Sequence, residues 1–124
     1  MKKSFILNIF GFFLLVISAL FVSCEELTQP NLTGKQINII SPLDSFVTTS
    51  TTNTFAWDPI DGAAKYQLQI VSPKFDSVVR FVTDSAFTNN LFRYTLTPGV
   101  YQWRVKATNA GSQTKYFTRK ITIQ

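Results

Sequence analysis

The chain has 124 residues, room for one domain, with no His and a single Cys. Those counts exclude Cys/His zinc sites, Ser-His-Asp triads, Cys-His dyads and any disulfide framework, so no metal, cofactor or enzymatic activity is expected. The formal charge of +5 falls to +3 once Lys2 and Lys3 are set aside with the N-terminal segment, and no dense basic run remains to bind nucleic acid.

Lys2 and Lys3 give a positive start, and Phe5 to Val22 is an apolar run of 18 residues broken only by Asn8, Gly11 and Ser18. Such a run just suffices to span a bilayer as a helix, so a transmembrane anchor competes with a cleaved signal. The end of the run decides for the signal. Leu20-Phe21-Val22-Ser23-Cys24 places a small residue directly before the only Cys. That segment resembles the lipobox of bacterial lipoproteins, with Phe21 where the family prefers Leu. The resemblance implies a signal peptide over 1–23, cleavage before Cys24, and a diacylglycerol on its sulfur with the new amine acylated. Two or more acyl chains hold a protein to a membrane stably, whereas one binds marginally.

Glu25 and Glu26 follow at once, and acidic residues there resemble the surface-export signal of lipoproteins from the Bacteroidetes. The resemblance implies an outer-membrane protein, with the cell-surface side favoured over the periplasmic. Residues 24–35 contain Pro30 and Gly34 and no apolar period, which predicts a flexible linker with an r.m.s. span of roughly 17–20 Å.

From Gln36 the pattern is period 2, with turn residues between runs and no helical stripe. Gln36 to Ile40 begins a strand that Pro42 interrupts, which suits an edge. Asn53 to Trp57 sets Phe55 and Trp57 on one face, and Asp58 to Gly62 is a turn cluster. Ala64 to Val71 alternates Tyr66, Leu68 and Ile70 against Lys65, Gln67 and Gln69. Val78 to Thr83 and Leu91 to Leu96 are short runs. Val100 to Thr108 puts Tyr101, Trp103, Val105 and Ala107 inward, with Gln102, Arg104 and Lys106 outward. Asn109 to Ser112 turns the chain, and Tyr116 to Ile123 closes it. Seven short strands over 36–124 predict an all-β, immunoglobulin-like sandwich.

Trp57-Asp58-Pro59, Gly62-Ala63-Ala64-Lys65-Tyr66-Gln67-Leu68 and Leu96-Thr97-Pro98-Gly99-Val100-Tyr101-Gln102-Trp103-Arg104-Val105-Lys106-Ala107 resemble a fibronectin type III domain. The resemblance implies that Tyr101 is a tyrosine-corner residue, its ring buried and its hydroxyl bonded to backbone near Leu96, and that Trp57 is the core Trp of the second strand.

Trp57, Tyr66, Leu96, Tyr101 and Trp103 are expected in the core rather than on a sugar-stacking surface. Tyr116 is expected outward. If the last two strands pair and Ala64–Val71 flanks them, one outer face collects Lys65, Gln67, Gln69, Gln102, Arg104, Lys106, Tyr116 and Lys120. This candidate face would suit an acidic partner, an envelope protein or an anionic glycan. It also fits an ordinary solvated sheet. Asp58 and Asp61 are too few oxygens for calcium and read as turn residues. Asp76-Ser77-Val78 and Asp84-Ser85-Ala86 resemble the O-glycosylation acceptor of the Bacteroidetes, which would modify Ser77 and Ser85. The expected function is a lipid-anchored interaction module. A structural spacer without a ligand is the alternative, and an exposed apolar patch would favour the binder.

Overall fold

The computed structural model describes residues 29–124, so the apolar run, Cys24, Glu25 and Glu26 lie outside the described residues. Every regular element within them is a β-strand. In chain order these are β1 (Ile39–Ser41), β2 (Phe46–Thr48), β3 (Thr52–Trp57), β4 (Lys65–Lys74), β5 (Ser77–Phe87), β6 (Leu91–Thr95), β7 (Gly99–Thr108) and β8 (Phe117–Ile123).

Two sheets form, with strand orders β1-β3-β6 and β2-β8-β7-β4-β5. Period-2 sequence dictates what lies between them, because alternate side chains of a strand leave on opposite faces. Phe55 and Trp57 of β3 are buried against Tyr66, Leu68 and Ile70 of β4 and Tyr101, Trp103, Val105 and Ala107 of β7. The Trp103 ring meets Phe55 edge-on at 4.9 Å, and Trp57 meets Tyr66 at 5.3 Å, arrangements favoured by aromatic quadrupoles. Both indole Nε1 groups are buried without a hydrogen-bond partner.

Three features depart from the sequence expectations. Pro42 does break the first run, but the chain then forms an eighth strand: β2 pairs parallel with β8, Val47 beside Thr122. The hairpin of β4 and β5 is longer than expected because two bulges carry it on. At both places β5 has one more residue than β4, so Val82 and Val79 have no opposite number. The bulge at Val82 shifts the alternation of β5 alone. β4 keeps its register with β7, Ile70 opposite Trp103 and Val71 opposite Gln102, so Val71 is buried on the outer face directly after Ile70 on the inner one.

The third departure concerns residues 24–35. From Pro30 onward this stretch is part of the folded body and not a free linker. Leu32 is completely buried in the core. Its amide donates to Ser112 Oγ at 2.8 Å, and the Pro30 carbonyl accepts from Asn109 Nδ2 at 2.7 Å. The Pro30 ring lies against Gly62, whose φ is +85° and where a Cβ would come within 2.5 Å of it. One apolar residue without a period gives no pattern to read, yet it fills the end of the core.

Candidate functional site: the outer face of the five-stranded sheet

The outward residues of β4, β7 and β8 come together on one face. Gln67 stands opposite Lys106, Gln69 opposite Arg104, and Gln102 opposite Lys120. Tyr116 precedes β8 and leans on the same surface. The centre of this face is engaged with itself. The Arg104 guanidinium carbon lies 4.0 Å from the centre of the Phe75 ring and 4.2 Å from that of Tyr116, held between two aromatic faces. Arg104 Nε donates to Gln69 Oε1 at 2.8 Å. The Gln67 and Gln69 amides both donate to the Asp84 carboxylate, at 3.0 and 3.2 Å. Gln102 Oε1 accepts the Phe75 amide, which folds the β4–β5 tip over the sheet. Lys106 Nζ sits over Tyr116 and donates to Gln113.

Burial pushes the Tyr116 phenol above its usual pKa, with Arg104 opposing and Asp84 adding to the shift. Tyr116 is therefore a neutral aromatic cover at physiological pH. Arg104 is a clamp in a polar network, and the exposed cations of the face are Lys65 and Lys120 at its ends.

Sequence reasoning missed Phe75 and Asp84. The expected strand stopped at Thr83, one residue short of the carboxylate that faces Gln69. Extending that hairpin would have set an acid among the amides.

Large apolar side chains are exposed near the opposite end of the sheet from Gly62 and Asn109. Val47, Thr122 and Val100 stand side by side across β2, β8 and β7. Pro73 of β4 faces Val78 of β5, with Val79 beside it at the bulge. Val47 is 52% exposed, Val100 51%, Phe81 53% and Val79 84%. Leu43, before β2, and Phe46, its first residue, are also exposed.

The remaining candidates are placed as follows. Tyr101 is buried, and its hydroxyl donates to the Thr97 carbonyl at 2.7 Å, one residue beyond Leu96. Tyr66 is buried with its hydroxyl accepting the Ile60 amide. Asp58 accepts from Asn38 Nδ2, and the Asp61 carbonyl from Lys35 Nζ, both within the turn region. Ser77 is exposed at the start of β5. Ser85 stands opposite Leu68, half-buried, its hydroxyl within 3.0 Å of Thr83 Oγ1. An open groove of about 210 Å³ between β5 and β6 is lined by Arg80, Tyr94, Thr97 and Tyr101, among others. Its lining contains no carboxylate pair.

Two packed sheets with this strand order make the domain an immunoglobulin-like β-sandwich. Within that class the fold is of the fibronectin type III kind. It is similar to the fn3 domain of the human collagen alpha-1(XX) chain, with a TM-score of 0.53 at 12% identity, covering 80% of this chain and 91% of that one. Two other structures match with lower scores. One is described as "FN3tt mut", with a TM-score of 0.47 at 20% identity over 69% of this chain and 86% of that one. The other is the fibronectin type-III domain of human fibronectin type III domain containing protein 3, with a TM-score of 0.42 at 12% identity over 82% and 94%. No family model and no curated protein matches the sequence.

Proposed function

We propose that the chain is a lipid-anchored envelope protein whose fibronectin type III-like domain docks another envelope protein through the outer face of its five-stranded sheet. The observation that carries the binding role is the set of exposed apolar side chains at Val47, Val79, Val100 and Phe81. A spacer gains nothing from such a surface, which lowers solubility, whereas apolar surface removed from water drives association. Lys120 borders the apolar residues, so an acidic rim on the partner would fit. The self-engaged centre around Arg104 favours a protein over an anionic glycan, because its guanidinium already rests between two rings. Nothing about this site supports an enzyme.

The anchor rests on the segment ending Ser23-Cys24, and a Cys24→Ser variant tests it. An unprocessed precursor lacking lipid label is expected. Normal processing and membrane retention would contradict the anchor. Docking is tested by capture from envelope extracts on the immobilised domain. Val79→Glu with Val100→Glu should abolish the captured species, while Lys65→Glu with Lys120→Glu should weaken it and make it less salt-sensitive. Equal capture by all forms would place the contact elsewhere.

A further inference from the structure

The two sheets end beside each other along one open edge, at β5 of the five-stranded sheet and β6 of the three-stranded one. The groove of about 210 Å³ lies between them, walled by Val82, Tyr94 and Leu96, and it meets the docking surface only at Phe81. Arg80 enters this groove because of a bulge. Thr83 stands opposite Ile70, and an unbroken ladder from there would set Arg80 opposite Pro73 on the outer face. The extra residue at Val82 sets Arg80 opposite Ser72 instead, on the inner side, where it reaches Tyr101. A guanidinium keeps its charge at any physiological pH, and no acid lines the groove. Its hydrogen bond there is a long one, 3.4 Å to a Tyr101 hydroxyl that itself donates to Thr97 O. The fork therefore has donors left for a ligand.

The backbone of β6 supplies a second set of polar groups. In an antiparallel pair, residues alternate between exchanging hydrogen bonds with the partner strand and turning their N–H and C=O away from it. The Leu96 amide donates to Thr51 O at 2.8 Å and the Trp57 amide to Asn90 O at 3.2 Å, which sets Phe92, Tyr94 and Leu96 toward β3. Thr95 alternates with them and so presents its N–H and C=O to the open edge, where it lines the groove with Arg80. The space is below the roughly 300–1,000 Å³ of pockets that enclose drug-sized ligands, so it suits a chain end of one or two residues.

From this juxtaposition we infer that the groove binds the C-terminal end of a polypeptide chain. The terminal carboxylate takes two parallel hydrogen bonds from the Arg80 fork, and the amide before it pairs with the Thr95 backbone as an added strand does. An apolar last side chain lies against Val82, Tyr94 and Leu96. The test uses the chain from Cys24 onward, which contains the whole described core, labelled with nitrogen-15. It is titrated with acetyl-Ala-Leu bearing a free carboxylate and with the same peptide amidated. The free-carboxylate peptide should give saturable amide shifts at Arg80–Val82 and Thr95–Thr97, and the amidated peptide should bind at least about tenfold more weakly. Arg80→Met should lose the same factor while its spectrum away from the groove stays as in the wild type. The Val79→Glu, Val100→Glu variant should bind the peptide normally, which separates this site from the docking surface. No saturable shift, equal affinity for the two peptides, or unchanged affinity in Arg80→Met would overturn the inference.

Discussion

Tyr101 shows how one side chain ties sequence to fold. Its ring fills the core beside β8, while its hydroxyl donates to Thr97 O at 2.7 Å and lies 3.1 Å from Thr97 Oγ1. Tyr101→Phe keeps the ring and leaves a partly buried carbonyl without its donor. We expect a loss of about 1–3 kcal/mol, read from the urea midpoint of the soluble domain. An unchanged midpoint would remove that hydrogen bond from the account. Trp57 and Trp103 work differently, since their N–H groups have no partner and they contribute through buried apolar area and edge-on ring contacts. The inward placement of these aromatics is legible in the sequence because each strand buries one face only. Arg104 is the contrast. Its outward position is legible, but its clamp between Phe75 and Tyr116 depends on a hairpin tip that folds back, which no period encodes.

Among the elements, β5 illustrates how an edge is controlled. Eleven residues without Pro or Gly at a sheet edge would invite strand addition. The bulges at Val79 and Val82 disrupt that edge, so contacts to a partner fall to side chains rather than to the backbone. The segment Pro30–Lys35, which straps the end of the core, is what the sequence conceals most, since its order comes from tertiary contacts. Asn109 is its hub: Nδ2 donates to the Pro30 and Gly62 carbonyls, and Oδ1 accepts from the amides of Gly111 and Ser112. Asn109→Ala should cost about 1–3 kcal/mol through these unmatched groups, and Leu32→Ala about 2–5 kcal/mol through lost burial. Hydrogen exchange should show faster opening of the Leu32 and Lys35 amides in both variants. Wild-type protection and stability in either would return residues 30–35 to the role of a free linker.

At the scale of the whole molecule, two properties of the sandwich bear on function: one end is tied down by residues 30–35, and the other carries exposed apolar side chains. The fold class follows from alternation and turns, which are local signals. The distribution of apolar surface does not, because it depends on register across five strands and on bulges that reset which face a residue takes. Val100 reads as one outward residue among polar ones until β2 and β8 bring Val47 beside it through Thr122. The central claim is that this surface holds a partner. In-cell photo-crosslinking tests it most directly, with a photoreactive residue placed in the full chain at Val79, at Val100, or at Arg93 on the other sheet. The account predicts a discrete covalent adduct from Val79 and Val100 and none from Arg93. No adduct at any position, or the same adduct from all three, would contradict it.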